Sequence, residues 1–206
     1  MNKSTNFVYE YMGNIYINLT NRCSNACSFC VRNNGEGVAG DNLWLEYEPT
    51  TAEVIAQLDK VLMMAQASGK NIKEIIFCGY GEPTYRLDQL LETADYAKSK
   101  GLSVRLNTNG LGNIINDANI VFFLKQSINS ISVSLNASNK SEYDRLCKSE
   151  FGINSFDYVL DFIKKCVATG FDVTASAIDS LPKDSIDKCR DIAKSLGAKF
   201  RVRELI

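Results

Sequence analysis

Three of the chain's seven cysteines lie within eight residues, in the stretch NRCSNACSFC, at Cys23, Cys27 and Cys30. Thiolates at this spacing can bind different corners of a compact iron–sulfur cluster, and a 4Fe-4S cube ordinarily takes four protein thiolates. Three thiolates leave one iron with an open coordination position, just as catalytic zinc keeps one position for water or substrate. The spacing therefore predicts a reactive metal cluster.

Two other interpretations of these cysteines remain open. Cys27 and Cys30 alone form a C-x-x-C pair, which is typical of dithiol redox sites, although this would leave Cys23 without a role. A zinc site would need a fourth sulfur from one of the dispersed cysteines, which are Cys78, Cys147, Cys166 and Cys189. Most of these lie in apolar patterns, where a buried free cysteine is the usual explanation.

The composition restricts the chemistry further. The sequence contains no histidine, which excludes His-ligated metal sites and both Ser-His and Cys-His nucleophile pairs. The formal net charge is −1 and no block of Lys or Arg occurs, so we expect no strong footprint for nucleic acid or anionic membranes. No apolar run approaches the roughly 18 residues of a membrane span, and the N-terminus lacks the apolar core of a signal peptide. We therefore expect a cytoplasmic protein.

The elements that must position the cysteines can be read from the apolar pattern. Six short apolar or β-branched runs predict strands, at residues 14–20, 74–79, 103–109, 130–136, 171–178 and 199–205. Helical patterns separate them, with a capping box at Thr50 and Glu53 and a cap predicted at Ser155. Alternating strands and helices predict parallel strands joined by right-handed crossovers. We expect one α/β domain over residues 1–206, either doubly wound or a partial barrel.

Polar or glycine-rich segments follow every predicted strand. In chain order they are the cysteine loop, GYGEPTYR (79–86), NTNG (107–110), NAS (136–138), Asp179 with Ser180, and Arg203 with Glu204. The carboxyl ends of parallel strands meet on one face of the sheet, where ligands of such folds bind. The sequence therefore predicts a single site that all six segments share.

The spacing C-x-x-x-C-x-x-C, with Phe29 directly before the last cysteine, resembles the radical SAM superfamily. GYGEP (79–83) is similar to that superfamily's G-x-G-E-P motif, and NTNG and SVSLNA fall where its members contact S-adenosylmethionine. The phrases LTNRC, FCGYGEPTYRLD, RLNTNG, ISVSLNA and YDRLC most resemble the TatD-associated radical SAM proteins. The short length also resembles glycyl-radical-enzyme activases and the 7-carboxy-7-deazaguanine synthases, although the latter have a longer gap between the first two cysteines.

The resemblance implies a partial (β/α)6 TIM-like barrel from about residue 14 onward, with the radical SAM core alone. It implies that Cys23, Cys27 and Cys30 hold a 4Fe-4S cluster whose fourth iron binds S-adenosylmethionine. The candidate contacts to that cofactor are Phe29, Gly79, Tyr80, Gly81, Glu82, Asn107, Asn109, Ser134 and Asn136.

In this scheme the backbone at residues 79–81 approaches the methionyl ammonium, and Glu82 adds charge near it. The asparagine and serine side chains bind the ribose or the carboxylate. Without a ligand, the glycines would serve a tight turn and Asn107 and Asn109 would form Asx turns. Ile178 is a further candidate for the adenine ring, although an inward strand residue needs no function.

Residues 31–48 form a long connection without periodicity, and we expect substrate recognition there. It contains Arg32, Asn33, Asn34 and the segment GEGVAGDN (35–42). Cys147 is the outlying cysteine predicted to lie near the same face. It could donate hydrogen or bind substrate, although a buried structural thiol is the commoner case.

The resemblance implies an enzyme that cleaves S-adenosylmethionine reductively, producing a 5'-deoxyadenosyl radical that abstracts hydrogen from a small or nucleotide-like substrate. Its implied partners are an electron donor such as flavodoxin or ferredoxin and a TatD-type hydrolase in the same pathway. The alternatives are an activase that makes a glycyl radical on a partner enzyme and a non-catalytic iron–sulfur or zinc binding module. We expect no auxiliary clusters and no cobalamin domain, which favours simple hydrogen abstraction, isomerisation or activation of a partner.

Overall fold

The computed structural model describes residues 4–33, 38 and 42–204. Within those residues it contains one sheet of seven strands. They are β1 Val8–Tyr11, β2 Asn14–Ile17, β3 Glu74–Phe77, β4 Ser103–Thr108, β5 Ser130–Ser134, β6 Asp172–Ile178 and β7 Lys199–Arg203. Strands β2 to β7 are parallel, and each lies inside one of the six predicted runs.

Strand β1 lies outside the predicted runs. It pairs antiparallel with β2, with Tyr11 opposite Asn14, so Met12 and Gly13 are the two loop residues. Both have positive φ, 48° and 74° respectively, as in the tight type I′ turns of hairpins. Asn, Asp or Gly usually occupies the first of these positions. Because Met12 occupies it here, the sequence carries no turn signal for this hairpin.

The order of the strands in the sheet is the same as their order in the chain. A doubly wound sheet reverses its order at a switch point, and no reversal occurs among the described strands. Strands β1 and β7 are the two edges of this sheet and are not paired with each other. The fold is therefore α/β with a partial TIM-like barrel, open between β1 and β7, and this prediction is confirmed.

Seven α-helices occur among the described residues: α1 Thr51–Ala67, α2 Leu87–Ser99, α3 Gly112–Ile115, α4 Val121–Ser127, α5 Lys140–Cys147, α6 Ser155–Ala168 and α7 Lys183–Ser195. The predicted capping box is present, since the N–H of Thr50 donates to Glu53 at 2.8 Å and Glu53 N–H donates to Thr50 Oγ1 at 3.3 Å. In the described part of the chain, no helix has the length and apolarity to cross a bilayer.

The predicted cap at Ser155 is wrong. Ser155 is the first residue of α6, and its hydroxyl is buried without a partner. The short 3-10 helix Gly152–Asn154 runs directly into α6, so the cap position moves back to Asn154, whose side chain makes no capping hydrogen bond.

The two faces of the sheet differ in polarity. The alternate residues that pack against the helices are apolar and buried, and include Val104, Leu106, Ile131, Val133, Val173, Ala175 and Ala177. The residues between them face the inside of the barrel and are mostly polar, namely Arg105, Asn107, Ser132, Ser134, Thr174, Ser176, Arg201 and Arg203. Barrel interiors are usually filled with branched apolar side chains, so this interior is unusual for a packed core.

Candidate functional site

The carboxyl edge of the parallel strands brings together the segments that the sequence singled out. The cysteine loop (21–30) follows β2, the GYGEP turn (79–83) follows β3, and the NTNG turn (107–110) follows β4. Ser134 is the last residue of β5 and Asn136 lies just beyond it. The hydrogen bonds between these segments decide which of them form a common site.

Donor groups lie beside the thiols of the cysteine loop, all three of which are partly exposed. Arg32 Nε donates to Cys30 Sγ at 3.2 Å, and Asn109 Nδ2 lies 4.0 Å from Cys23 Sγ. Burial raises the pKa of Cys23 to about 11. A metal bound to Cys23 would therefore have to displace a proton from it.

Residues 146–150 hold the cysteine loop in place. The N–H of Ala26 donates to the carbonyl of Cys147 at 3.0 Å, and the N–H of Ser28 donates to that of Leu146 at 2.9 Å. Both carbonyls belong to the last turn of α5, where helix carbonyls lack partners within the helix. The end of α5 thus fixes the loop through its unpaired backbone groups, a contact that the sequence did not predict.

Cys147 lies beneath the cysteine loop and is fully buried. Its thiol is hydrogen-bonded to Cys27 and to Asn136. The hydrogen bond from Cys147 lowers the pKa of Cys27, and the same contact together with burial raises the pKa of Cys147. The burial favours the structural interpretation of Cys147 over direct contact with a substrate.

Gly79 and Gly81 allow the GYGEP turn to pack closely against the end of β2. A Cβ at Gly79 would lie 2.0 Å from Oδ1 of Asn18, and a Cβ at Gly81 would lie 2.2 Å from the carbonyl oxygen of Thr20. Neither glycine has a left-handed φ. Close approach of two backbone segments, rather than a turn conformation, therefore accounts for glycine at both positions.

Glu82 joins three segments and is only 3% exposed. Its carboxylate accepts from Thr108 Oγ1 at 2.7 Å, from Thr84 Oγ1 at 2.8 Å and from the N–H of Asn109 at 2.7 Å. Its own N–H donates to the carbonyl of Arg22, in the cysteine loop, at 2.7 Å. Burial raises the pKa of Glu82 in spite of these hydrogen bonds. The protein itself thus uses the carboxylate oxygens, and any contact with the methionyl ammonium would add to these bonds.

Asn109 and Asn107 differ in how many of their side-chain hydrogen-bonding groups have partners. Asn109 Oδ1 accepts from the N–H of Leu111 at 2.9 Å, which is an Asx turn, while its Nδ2 donates to Ser24 Oγ at 3.0 Å. Asn107 is hydrogen-bonded to Cys78, but its Oδ1 is buried without a partner. Asn109 therefore links the NTNG turn to the cysteine loop, whereas Asn107 keeps a free acceptor.

Arg203, at the end of β7, has a role that the sequence did not assign. Its Nη2 donates to Asn136 Oδ1 at 3.2 Å, and its guanidinium lies 5.8 Å from the centre of the Phe29 ring. Burial lowers its pKa, and its Nε is buried without a partner. It forms no ion pair within the described residues. The sequence does carry one sign of this role, which is that Arg203 is a basic residue at the carboxyl end of a predicted strand.

The remaining candidates are less directly placed. The Tyr80 ring packs edge-on against Trp44, 5.3 Å between centres, so its side chain belongs to a small apolar cluster and its backbone remains the candidate contact. Phe29 is partly buried against the main core, and Ile178 is a member of that core, as its non-functional interpretation predicts. Asn136 is buried and has a left-handed φ of 56°.

The long connection at residues 31–48 is only partly described. Residues 34–37 and 39–41, which include Asn34 and most of GEGVAGDN, lie outside the described residues, so the substrate-recognition prediction stays a prediction. The end of the connection returns to β2: Asn21 exchanges hydrogen bonds of 2.8 and 2.9 Å with Leu45, and Asn18 Nδ2 donates to Leu43 O at 2.7 Å. This end of the connection therefore lies beside the cysteine loop.

The chemistry of the donor set fits an anionic iron–sulfur cluster. Among the residues the structure describes, no three Cys, Asp or Glu side chains gather closely enough to hold one metal ion, and a 4Fe-4S cube takes its thiolates at different corners. N–H donors from Arg32 and Asn109 face the sulfurs. The unsatisfied Asn107 Oδ1 and Arg203 Nε lie on the same edge, where a polar cofactor could provide their partners.

Comparison with known proteins agrees with this chemistry. Residues 17–196 match the Radical SAM superfamily. The chain is 29% identical over 147 residues to the dual-specificity RNA methyltransferase RlmN of Vesicomyosocius okutanii subsp. Calyptogena okutanii (strain HA), a match that covers 70% of this chain and 37% of that protein. The chain thus spans little more than a third of this relative.

Several solved structures share the fold. A radical SAM methyltransferase from Sphaerobacter thermophilus has a TM-score of 0.64 at 16% identity, covering 96% of this chain and 68% of that one. Streptococcus suis SuiB, bound to precursor peptide SuiA, has a TM-score of 0.69 at 16% identity, covering 97% and 40%. The protein anSMEcpe with bound AdoMet has a TM-score of 0.64 at 17% identity, covering 93% and 50%.

The chain belongs to the radical SAM superfamily. Membership implies a 4Fe-4S cluster and S-adenosylmethionine as cofactors. The matched range includes the cysteine loop and the turns after β3, β4 and β5, but it ends before β7 and Arg203. The finer resemblance to the TatD-associated radical SAM proteins stays a prediction.

Proposed function

We propose that this chain is a radical SAM enzyme that abstracts a hydrogen atom from a small or nucleotide-like substrate. The observation that carries the proposal is the position of Asn109, which donates to Ser24 of the cysteine loop at 3.0 Å and to Glu82 of the GYGEP turn at 2.7 Å. The three segments that resemble cofactor-binding motifs are thereby joined into one hydrogen-bonded unit at the carboxyl edge.

The residues of this unit have distinct roles in the proposal. Cys23, Cys27 and Cys30 would hold the cluster, and the N–H donors of Arg32 and Asn109 would stabilise their thiolates. When bound, the reduced cluster and S-adenosylmethionine together supply a 5'-deoxyadenosyl radical.

The remaining residues would orient the S-adenosylmethionine. The backbone at residues 79–81 would bind its methionyl end, and the side chains of Ser134, Asn136, Asn107 and Asn109 would hydrogen-bond its other polar groups. Asn107 Oδ1 is the unpartnered acceptor among them. Phe29 lies against Arg203 on the same edge and is the candidate for the adenine.

The proposed partners follow from the proposed reaction. One-electron reduction of the cluster needs a donor such as flavodoxin or ferredoxin, and we place the reaction in the cytoplasm, where these donors occur. The resemblance to TatD-associated proteins would place a TatD-type hydrolase in the same pathway.

The activase is the second candidate function. The barrel is open between β1 and β7, which leaves room for a loop of a partner enzyme to reach the interior. A glycine-centred radical signal on a co-expressed partner would support this candidate. Methyl transfer to RNA, the activity that the name of the relative RlmN gives, is disfavoured by the net charge of −1, because RNA binding depends on neutralising phosphates.

Anaerobic reconstitution with iron and sulfide tests the proposal. We expect an iron–sulfur signal in electron paramagnetic resonance after dithionite reduction, and 5'-deoxyadenosine after addition of S-adenosylmethionine. The Cys23→Ala, Cys27→Ala and Cys30→Ala proteins should lose both, while Cys189→Ala, which changes a buried helical cysteine, should keep both. A fully loaded cluster without 5'-deoxyadenosine would leave only the non-catalytic binding module.

A further inference from the structure

Residues 24–28 of the cysteine loop run antiparallel to residues 146–150, at the end of α5. Asn25 forms an antiparallel bridge with Ser149. Three hydrogen bonds keep the same register, and they run from the N–H of Ala26 to the carbonyl of Lys148 at 3.3 Å, from Ser28 to Leu146 at 2.9 Å and from Glu150 to Ser24 at 2.8 Å. The N–H of Ala26 also donates to the carbonyl of Cys147 at 3.0 Å. The two segments therefore form a short two-stranded ladder.

Cys27 lies directly opposite Cys147 in this ladder. The pair lies between two pairs that are joined by backbone hydrogen bonds, so it is a non-hydrogen-bonded pair. In such pairs the Cα atoms are about 4.5 Å apart and the side chains approach each other most closely. A disulfide needs Cα atoms roughly 4.4–6.8 Å apart. The backbone at Cys27 and Cys147 thus has the spacing that a disulfide requires.

The two thiols already contact each other. Cys147 is hydrogen-bonded to Cys27, so a bond between the two sulfurs needs no large movement of either segment. Cys27 is partly exposed, whereas Cys147 is fully buried. A solvent-accessible thiol with a second thiol beside it is the arrangement found in redox-sensing cysteine pairs, in which the second thiol resolves the oxidised form of the first.

The other two thiols of the cysteine loop have polar neighbours. Cys30 Sγ accepts from Arg32 Nε at 3.2 Å, and Cys23 Sγ lies 4.0 Å from Asn109 Nδ2. A disulfide between Cys27 and Cys30, within the C-x-x-C pair, is the competing product. The contact between the thiols of Cys27 and Cys147 favours the pairing across the ladder over this one.

We propose that Cys27 and Cys147 form a reversible disulfide once the cluster has been lost. The inference rests on the proposed function, because it takes Cys27 to be a cluster ligand. A peroxide oxidises the Cys27 thiol to a sulfenic acid, and its O–O bond breaks with release of one water. The Cys147 sulfur then attacks the Cys27 sulfur, and a second water leaves as the S–S bond forms. The two sulfurs thereby lose two electrons to one peroxide, and both thiol protons leave in the water.

The disulfide would protect a cluster ligand. A sulfenic acid that meets no thiol is oxidised further to a sulfinic acid, which is in general irreversible. A dithiol reductant, by contrast, restores both thiols of a disulfide by exchange. Cys147 therefore keeps Cys27 in a form that can take up a new cluster.

Disulfide mapping of the unaltered protein tests the pairing. The reconstituted protein is treated with hydrogen peroxide until its iron–sulfur absorbance is lost, and its free thiols are alkylated before digestion without reductant. Trypsin leaves Cys23, Cys27 and Cys30 on one peptide, residues 23–32, and Cys147 on another, residues 146–148. We expect these peptides to be joined, and fragmentation in the mass spectrometer to assign the bond to Cys27. A disulfide within residues 23–32 in its place, or no disulfide at all, would overturn the proposal.

Recovery of the cluster tests the protective role. After peroxide treatment, each protein receives dithiothreitol and then iron and sulfide. We expect the unaltered protein and Cys166→Ala, which lacks a buried cysteine of α6, to regain the iron–sulfur absorbance and the electron paramagnetic resonance signal. Cys147→Ala should lose most of this recovery and contain sulfinic acid at Cys27. Equal recovery in Cys147→Ala and Cys166→Ala would contradict the protective role.

The outcomes separate this proposal from the proposed function. Production of 5'-deoxyadenosine is measured on samples that have not met peroxide. Its absence from a protein with a full cluster would overturn the proposed function and leave a mapped disulfide standing. Absence of the disulfide from a protein that makes 5'-deoxyadenosine would overturn the disulfide alone.

Discussion

The backbone N–H of Asn109 donates a 2.7 Å hydrogen bond to Oε2 of Glu82, which joins the turn after β4 to the turn after β3. The other carboxylate oxygen accepts from Thr84 and Thr108. A buried acceptor with several donors is costly to alter, because each donor left without a partner destabilises the fold. Glu82 is therefore a stability determinant of the edge on which the cofactor site is built.

Replacement of Glu82 by glutamine should lower the free energy of unfolding by about 1–3 kcal/mol, because the glutamine NH2 cannot accept from the donors that face it. Urea denaturation near neutral pH measures this change. The matched control is Glu46→Gln, at an exposed position, which should leave the free energy of unfolding nearly unchanged. Equal stabilities of the two variants would contradict the role of Glu82.

The pH dependence of stability gives a second test at the same residue. Burial raises the pKa of Glu82 in the folded protein. The folded state therefore binds this proton more readily than the unfolded state, so its contribution is present at acid pH and is lost as the pH rises through the folded pKa. We expect the stability advantage of the unaltered protein over Glu82→Gln to be larger near about pH 5 than near about pH 8. An advantage that grows with pH would have the wrong sign.

Alanine at the two glycines of the GYGEP turn should destabilise the protein to different degrees. Gly81→Ala places a Cβ against the backbone of Thr20 and Arg22, whereas Gly79→Ala places it against the side chain of Asn18. We expect each substitution to lower the free energy of unfolding by roughly 1–3 kcal/mol or more, and Gly81→Ala to lower it further than Gly79→Ala. Adding Asn18→Ala should partly restore Gly79→Ala, because it removes the two nearest atoms, and should not restore Gly81→Ala. Thermal denaturation of the two single variants and the two double variants measures both effects.

Removal of the Cys147 thiol should alter the cluster without preventing its assembly. Cys147 is hydrogen-bonded to Cys27, and hydrogen bonds to ligand sulfurs help to set the potential of an iron–sulfur cluster. We expect Cys147→Ala to bind iron normally but to be harder to reduce, which a redox titration followed by electron paramagnetic resonance would show. Cys166→Ala, which changes a buried cysteine in α6, is the control. If the cluster had the same reduction potential in both variants, the hydrogen bond from Cys147 would have no effect on the cluster.

Arg203 should contribute to binding of S-adenosylmethionine. It is largely buried, bonds only Asn136 among the described side chains, and keeps an unpartnered Nε. We expect Arg203→Gln to weaken S-adenosylmethionine binding by roughly tenfold or more, since a charge-assisted hydrogen bond is lost. Equilibrium binding to the reconstituted protein measures this loss. Arg201→Gln should keep its affinity for S-adenosylmethionine, and an equal loss in both variants would mean that the cofactor senses only the general charge of β7.

Local sequence was sufficient for much of the fold. The parallel strands lie within the predicted runs, and the capping box at Thr50 and Glu53 is present, because alternation and capping act over a few residues. The hairpin of β1 was missed, since Met12 occupies a position where glycine or asparagine would signal the turn. The cap predicted at Ser155 lies one residue too late, because a 3-10 helix runs directly into α6.

The sequence by itself determined the class of chemistry: three closely spaced thiols, no histidine, and motifs at the ends of successive strands. Those features are local, so they are visible without a fold. Only the tertiary structure decided that the strands form an open barrel and that Cys147 lies against Cys27. It also decided that Gly79 and Gly81 serve close packing, and that Arg203 lies beside Asn136 and Phe29. These relationships join residues far apart in the chain, and packing between strands and helices, rather than any local pattern, brings them together.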